Sequence, residues 1–567
     1  MKPRKYRQGR RRIVAALAAA SLVIAACGGD DSDDTDVTSE ATPVGSADVD
    51  QGETAAPEEG DSDVAADDGS GGTLRLAITS DPPLLNPNLS TDSGLTEIVG
   101  LFAEGLITLD ESLTPQPGLA TDWTVSDDGT QYTFTLRQGV TWHDGEPFTS
   151  ADVVYTLGET IQELPTAERF APYIADVVAN GDYEVTVTLT EPYAPILVGL
   201  SRLTVQMLPA HVYDGADLFD NPANLEPIGT GPFKFVEWTP GQSIEFERFE
   251  DYWDEGLPHF DRVVVQIMGD ATAKVNAIRN GELDYVAGGE LPLNQLEELG
   301  QTAGLVRAPS GDTPAHDFLF FNTAHEALSN PDVRKAIAMA IDREQVVTSG
   351  YQGAAIAAVG PFPPVFDTLF PDEADTYDDV VPFDPEGARA LLDSAGFGDG
   401  LNLRLLYSSA SFSVGTPVAA TIRALLSEVG IDVELVDQDN AVYPESLFVN
   451  EDYDLAFGRF STFSDPAIGI HRIYLCETDP ERTYTNASGY CNEELDVVLE
   501  RAATSPDPAD RKSAYAEATE IILEDLPAYM LVLPSRESIA SERIQDLDEQ
   551  INSGPQNPNW AVASFAD

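Results

Sequence analysis

Leu401-Asn-Leu-Arg-Leu-Leu-Tyr407, followed by residues 417–429, Gly430 and Ile431-Asp-Val-Glu-Leu-Val436, is the stretch that decides the fold. Residues 401–407 form a short apolar run of strand length. Residues 417–429 carry a longer apolar pattern of helical length, closed by Gly430. Residues 431–436 alternate apolar with acidic side chains, the signature of a strand with one face in a core. A strand, a crossover helix and a second strand predict parallel pairing, because parallel neighbours need a long connection. Ligands bind such sheets at the carboxyl ends of their strands.

Working outward, Ser329-Asn330-Pro331 predicts a helix start with Pro in the first turn, and Val333, Ile337 and Ile341 line one face of that helix. Asp384-Pro385 starts another helix that Gly396 stops. Residues 508–526 read as a further helix and 529–533 as a last apolar strand. Toward the N-terminus, residues 73–78 alternate as a strand and run into the breaker Ser80-Asp81-Pro82-Pro83. A helix is expected near 95–102, a hairpin at Asp127-Asp128-Gly129, a capped helix over 153–161 after Thr149, and a half-buried strand over 183–190. The pattern predicts an α/β protein: a mixed first lobe, a doubly wound second lobe and a return strand, with the ligand in the cleft between lobes.

The first seventy-two residues state where the chain works. Seven basic residues (Lys2, Arg4, Lys5, Arg7, Arg10, Arg11, Arg12) precede the apolar run 13–26, which ends Ile24-Ala25-Ala26-Cys27. This reads as an export signal over 1–26, too short to span a bilayer. Cys27 after small residues resembles a bacterial lipobox, in which that Cys is lipidated and becomes the mature N-terminus. Residues 28–72 hold fifteen Asp or Glu and no Lys, Arg or aromatic residue. Such a segment buries too little to fold and reads as a tether over 27–72, about 35–40 Å end to end as a neutral coil.

The formal charge is −66, which excludes a nucleic-acid partner, since phosphate contacts need a basic surface. Much of that acidity reads as solubility. Cys476 and Cys491 are the only other cysteines. In an oxidising compartment they would form a local disulfide, whereas a metal site would need more ligands than this pair provides. No cofactor or metal is expected: the six His form no cluster, and no Gly-x-x-x-x-Gly-Lys stretch is present. No nucleophile elbow or His-Glu-x-x-His points to a hydrolase either.

Leu119-Ala-Thr-Asp-Trp123 with Ser126-Asp-Asp-Gly129 leads to Trp142-His-Asp-Gly145 and Thr149-Ser-Ala-Asp-Val-Val-Tyr155. Gly229-Thr-Gly-Pro-Phe233, Phe320-Phe-Asn322, Arg334-Lys-Ala-Ile337, Ala340-Ile-Asp342 and Gly489-Tyr-Cys-Asn492 follow in order. This series resembles the extracellular solute-binding proteins of family 5, the dipeptide, oligopeptide and nickel type. The resemblance implies a two-lobed periplasmic-binding-protein-like fold: a first lobe over 73–316 with an inserted subdomain near 104–203, a second lobe over 317–530, and a return over 531–567. It implies hinge strands near 318–322 and 528–532 that close on a small solute. It also implies a monomer without catalysis, partnered by an ABC permease and, through it, a cytoplasmic ATPase. A solute sensor on the same fold is the alternative, ahead of an exported hydrolase.

Without the family, Trp123 and Trp142 read as core aromatics, Gly229-Thr-Gly231 as a backbone turn and His143 as a surface or hydrogen-bonded residue. The ligand question turns on Gly458-Arg-Phe-Ser-Thr-Phe-Ser-Asp-Pro466. Peptide-binding relatives resemble one another at a Gly-Trp-x-x-Asp stretch, whose Asp meets the peptide ammonium. Phe460 aligns with that Trp, but Phe463 stands at the Asp, and Asp465 matches the Asp-Pro that follows. An aromatic ring replaces a carboxylate only weakly, which opens the ligand to sugars, opines or other amphipathic solutes beside peptides. Arg459 is expected to grip a carboxylate or phosphate, with Phe460, Ser461, Phe463 and Asp465 beside it. By the same resemblance Asp81, Leu84 and Tyr529 are ligand contacts.

Overall fold

The computed structural model describes residues 71–90, 92–110, 113–288, 290–310, 315–370, 374–440, 442–461, 463–476, 485–545 and 560–566. The expected leader, Cys27, nearly all of the tether, and Thr462 lie outside them.

The deciding stretch folds as its pattern requires. Leu401–Tyr407 and Ile431–Asp437 pair in parallel, Leu401 opposite Ile431. The helix between them, Gly415–Glu428, buries Val418, Ala419, Ile422, Leu425 and Leu426, one stripe at helical spacing. Val418, Ile422, Leu425 and Leu426 each contribute about 1.5–3 kcal/mol by leaving water, and Ala419 less. Gly430 then takes φ +89, a left-handed turn that suits glycine. The full sheet has six strands, in the order Ala355–Ala357, Ala528–Pro534, Ala315–Phe321, Leu455–Ser461, Leu401–Tyr407, Ile431–Asp437. Its helices start where expected. Asn330 caps Pro331–Ala340, and Val333, Ile337 and Ile341 are all buried.

The first sheet has seven strands: Leu305–Ser310, Arg536–Ser541, Tyr285–Val286, Thr73–Ile78, Arg262–Ile267, Ser243–Arg248 and Phe233–Thr239. Thr73–Ile78 runs parallel to both of its neighbours. The chain passes between the two sheets twice, from Ser310 to Ala315 and from Pro534 to Arg536. Residues 311–314 of the first crossing lie outside the described residues. Of the stretches expected as hinges, 318–322 and 528–532, residues 318–321 and 528–532 are buried strands of the second sheet, paired there with each other. The strands of the second sheet fall between residues 315 and 534.

Register fixes where a ligand can sit. Leu305–Ser310 is antiparallel to Arg536–Ser541, which is antiparallel to Tyr285–Val286. Hence the carboxyl ends of Thr73–Ile78, Arg262–Ile267 and Tyr285–Val286 share the edge at which the chain crosses. In the second sheet, Ser461 pairs with Ala315, and the two remaining parallel strands point the same way. Both sheets therefore turn their carboxyl edges toward the crossings, the place where open α/β sheets hold ligands.

The inserted subdomain is a four-stranded antiparallel sheet in the order Ala120–Val125, Gln131–Leu136, Glu184–Leu189, Ile174–Gly181. The first two strands form the expected hairpin, with Gly129 at φ +69. Thr149 and Asp152 cap the next helix reciprocally. Its buried apolar residues run continuously with those of the second lobe and extend to Ala223, past the expected boundary at 203. The Ala194 N–H donates to the carbonyl of Ala503, a backbone bond that ties this subdomain to the second lobe.

Candidate functional site

The strand Leu455–Ser461 carries the questioned loop to the crossing edge, and each residue on it has a different task. Arg459 stands opposite Asp317 in the ladder. Its Nε and Nη2 grip the two carboxylate oxygens at 2.6 and 2.8 Å, a bidentate fork. Asp317 is wholly buried, and the Tyr351 hydroxyl also donates to it. Burial alone would lower the Arg459 pKa, but the Asp317 charge and hydrogen bonds outweigh it and shift it upward. The expectation that Arg459 grips a ligand anion is thus corrected: its fork already holds a carboxylate of the protein.

Phe460 alternates to the other face and packs among Phe318, Phe320 and Phe448, with ring centroids 5.3–6.2 Å away. Ser461 Oγ accepts from the Phe463 N–H. Phe463 adopts φ +52, an unusual conformation for a bulky side chain. Its ring meets the Arg169 guanidinium of the inserted subdomain at 4.4 Å and that of Arg472 at 5.5 Å. Arg472 also lies 5.1 Å from the Phe460 ring, and its Nε and Nη2 donate to the carbonyls of Gly469 and Ser461.

Asp465 is structural. It caps the helix Pro466–Gly469 by accepting from Ala467 N at 2.9 Å. Both its oxygens accept from Arg511 Nη2, at 2.9 and 3.1 Å, in a pair almost entirely shielded from water. A buried carboxylate needs such a cation, and this one leaves Asp465 no ammonium to meet.

Between the inserted subdomain and the second lobe lies a cavity of about 970 Å³. Arg169, Pro172, Tyr173, Thr190, Glu191 and Tyr193 line one side, and Arg459, Phe460, Ser461, Phe463, His471 and Arg472 the other, with Glu500 at the rim. Tyr173 and Tyr193 stack with centroids 3.9 Å apart. Burial, with help from the Arg511 charge, lowers the His471 pKa to about 3, so His471 lines the cavity as a neutral ring. The size suits a drug-sized or oligomeric solute.

Known proteins share this fold. The model for bacterial extracellular solute-binding proteins, family 5, matches residues 114–479. The chain belongs to this family. It is a solute-binding protein of the ABC-import type and not an enzyme, and it works outside the cytoplasm. The glutathione-binding protein GsiB of Salmonella paratyphi A is 27% identical over 480 residues, covering 83% of this chain and 90% of its own. The ABC transporter substrate-binding protein CtaP of Listeria monocytogenes superimposes with TM-score 0.76 at 25% identity, covering 88% of this chain and all of that one. AgaA from A. tumefaciens R10, solved with agropinic acid, gives TM-score 0.69 at 25% identity over 88% of this chain and 99% of its own.

Of the site residues that the family resemblance implied, Arg459, Phe460, Ser461 and Phe463 line the cavity, while the other four do not. The carboxylate of Asp81 accepts from Trp238 Nε1 and Gly241 N, at 2.9 and 2.6 Å, on the edge of the first sheet. Leu84 packs against the core of that sheet. Tyr529 is buried within the second sheet, edge-on to Tyr377 at 4.7 Å. Asp465 sits behind the loop with Arg511. The family's signature residues are structural as well. His143 is buried, accepting from Gly229 N and donating from Nε2 to the Gly231 carbonyl at 2.9 Å, and desolvation lowers its pKa to about 4. Of the two readings open from sequence, surface or hydrogen-bonded, the structure shows the second. Trp142 is fully buried, whereas Trp123 is only half-buried.

Sequence reasoning missed Arg169, Tyr173, Glu191, Tyr193, His471, Arg472 and Glu500. The inserted subdomain offered no motif that would place its residues at a ligand. The one available signal was His471-Arg472, a basic pair just after the Asp-Pro turn in a strongly acidic chain. Cys476 and Cys491 form a disulfide, with Cα atoms 4.5 Å apart, near the cavity-lining Leu475.

Proposed function

We propose that the cavity between the inserted subdomain and the second lobe is where this protein captures its solute for import. A single observation carries this reading: one roomy chamber, at the end of strand Leu455–Ser461, has walls drawn from both the inserted subdomain and the second lobe. A membrane permease coupled to a cytoplasmic ATPase receives the solute-bound form. The lipidated Cys27 and the acidic tether would hold the body near that permease on the outer face of the membrane. GsiB is named for binding glutathione and AgaA was solved with agropinic acid, which supports a small polar solute here.

The test is obstruction from either wall. Thr190→Trp and Ala467→Trp each place an indole in the chamber, and each should abolish retention of the solute that co-purifies with the tagged protein, read by mass spectrometry. Retention unchanged in both variants would move the site elsewhere.

A further inference from the structure

Two of the chain's three cysteines lie beside the cavity, and their disulfide joins two parts of its wall. Cys476 directly follows Leu475 and the short helix His471–Tyr474, a stretch that brings His471, Arg472 and Leu475 to the cavity. Cys491 directly precedes Asn492, the cap of the helix Glu493–Thr504, whose Leu499, Glu500 and Ala503 line the same cavity. The bridge therefore acts on the distance between one wall helix and the other. A weaker tie follows the same route: the Cys476 N–H donates to Asp496 Oδ1 of the longer helix at 3.1 Å.

The bridge is not needed to close the loop between the two cysteines. Asn486, 2% exposed, donates from Nδ2 to the carbonyls of Leu475 and Tyr490, at 2.9 and 2.6 Å. One buried side chain thus holds the residue before each cysteine. If the S–S bond opens, these hydrogen bonds keep the segment folded. They can also open and reform locally, which a covalent bond cannot, so the two walls gain freedom without the fold coming apart. A reversible switch needs a second state of this kind.

The bridge is also within reach of solution. Cys491 is exposed and Cys476 half-buried, so a thiolate meets the Cys491 sulfur first. Exposed disulfides are the labile ones, and the chain works outside the cytoplasm, where such bonds form. Resting on the cavity reading above, we propose that Cys476–Cys491 is a thiol-reactive lock on the solute cavity: bridged, it holds the two wall helices at binding distance, and reduced by a low-molecular-weight thiol it lets the solute go. The attacking thiolate forms a mixed disulfide at Cys491 and releases Cys476 as a thiolate, which takes up a proton. A second thiolate attacks the small thiol's sulfur in that mixed disulfide and releases Cys491 in the same way. The protein gains two electrons and two protons, and two small thiols become one disulfide.

The experiment compares the full mature protein as purified, after dithiothreitol and after reoxidation, beside the variant Cys476→Ser/Cys491→Ser. Hydroxyl-radical footprinting, read by mass spectrometry, reports on the walls with no solute present. Labelling of His471 and Leu499, both nearly dry in the bridged form, should rise at least about threefold on reduction, while Phe134 and Phe246 in distant cores stay unlabelled. Retention is measured with S-methylglutathione, agropinic acid and a cysteine-free tripeptide library, none of which carries a thiol. Whichever is held should be lost at least about fivefold on reduction and recovered on reoxidation. The serine variant should match the reduced protein and ignore dithiothreitol, which sets Cys27 aside; the reduced parent carries the test if that variant does not fold. A disulfide that only stabilises the fold would lower the melting temperature and leave retention, measured well below it, unchanged. Unchanged labelling or unchanged retention overturns the proposal, as does a bridged form that holds no probe. Thr190→Trp separates the two claims. If it blocks a probe that reduction does not release, the cavity reading stands and the lock falls. If it leaves retention untouched, the cavity itself is wrong.

Discussion

Two sets of arginines surround the loop from Arg459 to Arg472, and they are held in opposite ways. Arg459 and Arg511 form the floor, each locked by a buried aspartate. Arg169 and Arg472 form the wall, laid against phenylalanine rings. The floor's charges are matched within the fold, so they organise the loop and contribute little direct attraction to a solute. The wall's guanidinium groups lie on aromatic rings, and Arg472 also donates to the carbonyls of Gly469 and Ser461, with no buried carboxylate among the described residues gripping either in the way Asp317 grips Arg459. A cation in a cleft is therefore a poor guide to ligand binding until its carboxylate partners are known.

The strongest way to break this contrast is Asp465→Ala. It strands the Arg511 charge in a nearly dry site, and the unfolding free energy measured by denaturant titration should fall by about 3–5 kcal/mol. The double variant Asp465→Ala/Arg511→Met should recover much of that loss. If the single variant is as stable as the parent, the floor is not locked.

Asp317→Asn tests the milder lock, because the Arg459 side chain keeps 28% of its surface exposed and water can replace part of the carboxylate. A loss of about 1.5–3 kcal/mol is expected in the same titration. A loss equal to that of Asp465→Ala would erase the distinction between the two pairs.

Phe463 gives the smallest effect on stability. Removing its ring in Phe463→Ala forfeits two cation–π contacts of about 0.5–1 kcal/mol each. Phe463→Gly forfeits the same contacts but suits the positive φ better, so it should unfold about 1 kcal/mol less readily than the alanine variant. Identical stabilities would mean that the backbone at 463 relaxes and does not hold the ring in place.

The two sets also mark how far sequence could see. Strand Leu401–Tyr407, its helix and its partner were legible because periodicity and a terminal glycine are local signals. Gly229-Thr-Gly231 was legible as a turn, and the structure supplies the reason: a Cβ on either glycine would strike the end of the helix Ser93–Phe102. The partners of Arg459 and Asp465 were not legible. Asp317 lies 142 residues before its arginine and Arg511 lies 46 residues after its aspartate, and no local pattern encodes such pairings. Arg169 and Glu191 were hidden for the same reason, since only the packing of the inserted subdomain brings them to the loop.

The double crossing also ties the two lobes' folding together. Strand Arg536–Ser541 lies between Leu305–Ser310 and Tyr285–Val286, so the sheet that begins at Thr73 is completed by a strand from beyond the whole second lobe in sequence. Until that strand docks, its two neighbours expose unpaired backbone edges. The first lobe therefore reaches its finished form only by way of the second.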